Sequence, residues 1–192
     1  IKLLGIAKSN NTDVEIRVHP TLVPEKRLVA NVDGAMNAVL VHGNMVGPTL
    51  YYGAGAGAEP TASAVVADVI DIARQTKLSQ NTLIPSLGFM PDKINEKNIL
   101  SIENIISEYY LRFTMKNQAG LLAKITNIFA DHDISINSMV HKEVQENNQN
   151  PDIFLITSKT KEADIDTIIS EIELLPENTE KVVKIRTEEL NK

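Results

Sequence analysis

The chain has 192 residues, a formal charge of −6 and 43% hydrophobic residues, enough for one large or two small packed domains and too apolar for disorder. It contains no cysteine and no tryptophan, which excludes disulfides and thiolate chemistry; its acidic balance and few aromatic residues argue against nucleic acid as a partner. No apolar run is long enough to cross a bilayer and no segment looks like a signal peptide, so no membrane association and a cytoplasmic location are expected. Residues 1–100 hold nine basic and nine acidic side chains, whereas residues 101–192 hold ten and sixteen. This asymmetry suggests two domains. The opening IKLLGIA reads like the middle of a domain, and the chain is expected to be a piece of a longer protein.

In chain order, Ile1 to Ala7 is an apolar run suited to a buried strand. SNNTD is a turn, and Val14, Ile16 and Val18 alternate with Glu15 and Arg17 as in a half-buried strand. His19-Pro20 is expected to end that strand. Asn31 to Ala35 reads as a turn into a strand through Ala38 to Val41. Gly43-Asn44 has the composition of a two-residue hairpin turn, with Met45 to Tyr52 returning. That strand delivers the chain into Gly53-Ala54-Gly55-Ala56-Gly57-Ala58, followed by a helix from Glu59-Pro60 to Arg74. A glycine-rich loop entering a helix is a ready anion site, because free amides and the helix dipole point the same way. The loop has neither the GxGxxG spacing of a dinucleotide fold nor the Gly-Lys-Ser/Thr of a P-loop. A turn that lets the helix pack closely explains the glycines equally well.

VHPTLVP and ANVDGAMNAVLVHGNMVGPTLYYGAGAGAEPTASAVVADVIDIAR closely resemble the C-terminal end of the substrate domain of homoserine dehydrogenase. The residues carrying the likeness include His19-Pro20, Asn31, Gly34, Asn37-Ala38-Val39, Gly47, the glycine loop, Thr61-Ala62 and Asp68. The resemblance implies an enzyme that uses NADP or NAD to interconvert aspartate semialdehyde and homoserine. It also implies that Gly57, and beside it Gly55, meet a cofactor held chiefly by a domain outside this chain. The family's catalytic lysine and aspartate would lie before Ile1. No catalytic residue is therefore assigned, and the chain alone is expected to be inactive. Lys2, Lys8, Asp68 and Asp71 read better as surface or helix-face charges. His19, His42, His132 and His141 show no metal-ligand spacing.

Gln75 to Ser107 is broken by Pro85, Gly88, Pro91, Asn95 and Asn98 and reads as a connector. Leu83-Ile84-Pro85 and Leu87-Gly88-Phe89 within it are apolar enough to pack on a domain. Beyond it, Tyr109, Leu111, Phe113 and Met115 alternate as a strand. Leu121, Leu122, Ile125, Ile128 and Phe129 then share a helical side. Ile134 to Val144 is the next strand, Asn147 to Pro151 a turn and Ile153 to Ser158 a third strand. Ala163 to Leu174 is an amphipathic helix and Val182 to Thr187 a last strand. The order is that of a ferredoxin-like βαββαβ sandwich.

NQAGLLAKITNIFADHDISINSM, residues 117–139, resembles the ACT domain, an amino-acid-sensing module. Asn117, Ala119 and His141 stand where aspartate, proline and glutamine are frequent in that family. The resemblance implies an amino-acid effector, threonine first, held by Asn117, Gly120 and Leu121. It also implies that a partner chain's second strand brings Ile136 and Asn137 to the same ligand. The fold class expected is thus α+β. The domain boundaries are 1–76 for the end of the catalytic (substrate) domain, 77–107 for the connector and 108–192 for the ACT domain. A homodimer or homotetramer is expected. A stand-alone amino-acid-binding regulatory protein is the alternative.

Overall fold

The computed structural model describes residues 1–9, 12–76, 85, 88–142 and 150–190. It is an α+β structure with β1 (Lys2–Ser9), β2 (Asp13–Leu22), β3 (Met36–Gly43), β4 (Gly47–Ala54), α1 (Ala58–Gln75), β5 (Asn98–Ile99), β6 (Ile106–Thr114), α2 (Leu121–Asp131), β7 (Ile136–His141), β8 (Asp152–Thr157), β9 (Thr160–Lys161), α3 (Glu162–Glu173) and β10 (Val183–Thr187). Two compact units result, one made of Ile1–Pro24 with Asn98–Leu190 and one of Glu25–Lys97. Compactness therefore divides the chain elsewhere than the sequence boundaries do: β1 and β2 belong with the C-terminal strands.

The first unit is a long sheet in the order β1-β2-β10-β6-β8-β7, with β5 added to β2 and β9 to β6. Within it β6, α2, β7, β8, α3 and β10 form the expected βαββαβ sandwich. Its core joins Tyr109, Leu111, Phe113 and Met115 of the β6 segment to Leu121, Ile125 and Phe129 of α2, and to Ile165, Ile168 and Ile172 of α3. The period of two on β6 and of 3.6 on the helices put these side chains on facing surfaces. Burying each large one contributes about 1.5–3 kcal/mol relative to exposure. Leu122 departs from the expected helix face: it is 39% exposed, one position around from buried Leu121.

Several local expectations are corrected. β1 is an edge strand with Ile1 and Leu3 each 72% exposed, so an apolar run did not mean a buried strand. β2 continues through His19-Pro20 to Leu22. Among the described residues, on the side away from β1 it is paired at Asp13–Val14 by β5 and at Thr21–Leu22 by β10 and nowhere between, so Pro20 sits where no described strand makes a second neighbour. The β3–β4 turn spans three residues, Asn44 to Val46, and the left-handed backbone falls on Gly47 (φ +76°). α1 starts at Ala58 and ends at Gln75, one residue beyond each expected end. β7 ends at His141; the expected extension to Val144 and most of the Asn147–Pro151 turn lie outside the described residues. So do Leu83, Ile84 and Leu87 of the apolar connector stretches, while Phe89 is exposed.

The second unit holds the β3–β4 hairpin and α1. None of α1's 18 residues is buried. Val65, Val66, Val69, Ile70 and Ile72 form an exposed apolar set.

On the inner face of β2, Arg17, His19 and Thr21 are buried in sequence alternation. His19 Nδ1 lies 3.0 Å from the Pro20 carbonyl oxygen, to which it donates, while its buried Nε2 has no partner among the described residues. Burial, assisted by the positive charges of Arg186 and Arg17, pushes the imidazole below its usual pKa despite that hydrogen bond. The unfolded chain therefore takes up a proton first as pH falls. The His19 contribution to stability is complete above about pH 6.5 and declines as pH drops through the lower folded value. Urea unfolding between about pH 7.5 and 5 should show stability falling with pH, and His19→Gln should flatten that slope. Equal slopes in the two proteins would contradict this assignment.

Candidate functional site

Two loops, each feeding a helix, carry the residues of interest. In the first, Gly55 follows β4 and its N–H donates to the Ala35 carbonyl at 3.2 Å. A Cβ at Gly55 would overlap the present position of the exposed Asn37 side-chain amide, so a side chain there would have to displace Asn37. Gly57 is the residue before α1 and has φ +129° and ψ 152°, a conformation that is essentially glycine-only. Its carbonyl accepts the first bond of the helix, from Thr61 N–H at 3.1 Å. No side chain caps α1, and Pro60 removes one of its unpaired donors. The remaining first-turn amides and the dipole suit an anionic group such as a phosphate. Glu59, in that same turn, opposes it.

The second loop links β6 to α2. Gly120 has φ +84° and precedes the helix, again without a side-chain cap. Leu121 N–H donates to the Gln118 carbonyl at 3.2 Å, and Lys124 N–H to the Gly120 carbonyl at 3.0 Å. The amides of Leu122 and Ala123 are the first-turn donors that helix geometry leaves without an intrahelical partner. They border a cavity of about 180 Å³ lined by Asn117, Gln118, Gly120, Leu121, Leu122, Ala123 and His141. That volume suits a small amino acid; sites for drug-sized ligands run to about 300–1,000 Å³.

The turn after α3 supports this loop. Lys116 N–H donates to the Glu177 carbonyl at 2.9 Å, and Thr179 donates through both its amide and its hydroxyl to the Thr114 carbonyl. The Glu177 carboxylate pairs with Lys124 of α2, and that hydrogen bond, first among its neighbours, holds its carboxyl below the usual range. The loop backbone is thereby fixed at both its β6 and α2 ends.

Asn117, Gly120 and Leu121 thus come together around one cavity. Ile136 and Asn137 do not line it from their own chain: Ile136 leans on the core and the Asn137 amide donates to the Thr157 carbonyl at 3.1 Å. Gln118, Leu122, Ala123 and His141 were not expected there as site residues. Gln118 and Ala123 could have been read from their places in the loop and first helical turn. Reading His141 required knowing where β7 ends relative to that loop. Among the described residues no group of three or more histidine, aspartate or glutamate side chains could hold a metal, and no helix is long and apolar enough to cross a membrane.

Residues 1–70 match the family described as homoserine dehydrogenase, and residues 109–177 match the ACT domain. A homoserine dehydrogenase of Pseudomonas aeruginosa is 45% identical over all of this chain, which spans 44% of that protein. One of Neisseria gonorrhoeae is 46% identical with the same coverage. The crystal structure of a homoserine dehydrogenase from Thiobacillus denitrificans superposes with a TM-score of 0.89 at 50% identity, over 99% of this chain and 42% of that one. The chain therefore spans less than half the length of these relatives. With both segments matched in this order, the chain belongs to the homoserine dehydrogenase family and corresponds to the C-terminal part of its curated members.

Proposed function

We propose that this chain is the regulatory and cofactor-facing part of an enzyme that interconverts L-aspartate 4-semialdehyde and L-homoserine, a step toward threonine, methionine and isoleucine. Residues 1–76 supply the end of the catalytic domain, 77–107 the connector and 108–192 an ACT domain that senses an amino acid. Catalytic residues and most of the NADP or NAD site belong to sequence outside this chain, which by itself is inactive. The complete protein works in the cytoplasm as a homodimer or homotetramer. The observation that carries the sensor reading is the cavity at the start of α2, with Asn117, Gly120 and Leu121 around it.

A free amino acid presents a carboxylate and an ammonium. The uncapped amides at the start of α2 suit the carboxylate. The Asn117 side chain offers an acceptor for the ammonium and a donor for the carboxylate. Threonine is the first-choice effector, with Ile136 and Asn137 of a second copy completing the site. At the other loop, the nicotinamide when bound supplies the hydride exchanged with the aldehyde carbon. Gly57 contributes a side-chain-free backbone that lets a nucleotide approach the start of α1, and Gly55 keeps the loop folded against Asn37.

Isothermal calorimetry should detect L-threonine binding to this chain, with Asn117→Ala weakening it by about tenfold or more, as expected when a charge-assisted hydrogen bond is removed. Absence of heat together with an unchanged melting temperature would contradict the sensor reading. In the complete enzyme, Gly57→Val should raise the cofactor KM by about tenfold, because the loop loses its open backbone while the chemical step keeps its residues. An unchanged KM would remove this loop from the cofactor site.

A further inference from the structure

The inner face of the long sheet does not end with the ACT strands. Glu162, at the start of α3, is 3% exposed. Its Oε2 accepts the Tyr109 hydroxyl at 2.7 Å and Arg186 Nε at 2.8 Å, and its Oε1 accepts Lys184 Nζ at 2.5 Å. Lys184 also bonds Asp166 of α3. Two residues beyond Arg186, on the same side of the chain, Glu188 Oε2 accepts Arg17 Nη2 of β2 at 2.9 Å and Lys8 Nζ of β1 at 2.7 Å. The Arg17 side chain is 1% exposed and also faces Glu15 at 2.7 Å. Two charge clusters thus meet β10 and the residue just past its end: Lys184 and Arg186 face Glu162 of α3, which Tyr109 of β6 also bonds, and Glu188 faces Arg17 of β2 and Lys8 of β1.

The backbone seam they straddle is short. β10 and β2 pair at only two positions, Arg186 with Thr21 and Thr187 with Leu22, followed by one bond from Glu188 N–H to the Leu22 carbonyl. The flanking ladders have eight pairs (β1–β2) and five (β10–β6). Few backbone bonds hold the two sides in register here, whereas buried charges tolerate only arrangements in which each keeps a partner. Such a junction has discrete positions, which is the property a coupling element needs. On one side, β6 carries Tyr109 and ends in the Asn117–Gly120 loop. On the other, β2 lies in the homoserine dehydrogenase segment.

We propose that the two ion-pair clusters gathered at β10, Arg186 with Glu162 and Glu188 with Arg17, together form the regulatory joint of the enzyme, transmitting occupancy of the α2 cavity to strands β1 and β2. This rests on the amino-acid-effector reading given above. Glu188→Gln removes the charge on which Arg17 and Lys8 converge, keeps its size, and touches neither the cavity nor the glycine loop. In the complete enzyme, L-threonine binding is measured by calorimetry and L-threonine inhibition by dehydrogenase activity. The variant should bind threonine within about twofold of the parent, while the concentration for half-inhibition rises about fivefold or more; Glu188→Asp should fall between them. Binding and inhibition that stay together at parental values would overturn the joint and leave the effector site standing. No threonine binding by the parent enzyme would overturn the effector reading and the joint with it. If Glu188→Gln melts early, Lys8→Met, at a side chain 49% exposed, reads the same joint and should shift inhibition in the same direction by less.

Discussion

The sheet of this protein depends on a carboxylate withdrawn almost completely from water. Burial alone would raise the Glu162 pKa, but hydrogen bonds from Arg186, Lys184 and Tyr109 outweigh it and hold the carboxyl below its usual range. Tyr109 shifts upward, by burial first and then by the same carboxylate, and so remains a donor. Removing both cations would leave the buried Glu162 charge uncompensated, at about 3–5 kcal/mol. α3, β6 and β10 are therefore fixed to each other at one point by ionic geometry as well as by apolar packing. Apolar contacts tolerate small slides. A carboxylate shared among three donors does not.

The two loops enter their helices by one physical device. α1 and α2 both start on a glycine with positive φ and without a side-chain cap, leaving first-turn amides for an external acceptor. α3 differs in backbone: it starts after Lys161 in an extended conformation, without a glycine, and both Glu162 and Asp164 place negative charge in its first turn. α1 shares part of this, with Glu59 in its first turn, while α2 has no acidic residue there.

What the sequence made legible was local. The alternation of Tyr109, Leu111 and Phe113, the helical spacing of Ile125 and Phe129, and the Asn117–Gly120 loop all placed their elements correctly, because the period of a pattern reports its own geometry. The glycine loop was legible as a helix entrance, though the neighbour that a side chain at Gly55 would displace is Asn37 across the hairpin. What escaped was non-local. Nothing near Thr21 announces that it pairs with Arg186, and Arg17 on an alternating strand looks like a solvent-facing charge until Glu188 closes over it. His141 belongs to the cavity for the same reason: its neighbours there come from the fold, and spacing along the chain does not reveal them.

The central structural claim is that β2 is part of the ACT sheet although its sequence belongs to the other family segment. Hydrogen–deuterium exchange of the backbone amides tests it most directly. If the sheet is continuous, the β2 amides bonded to β1 and β10 should gain protection together with β6 and β10 and lose it at the same urea concentration, as one cooperative unit. Exchange of β2 at the rate of the solvent-exposed helix α1, while β6 and β10 stay protected, would contradict it.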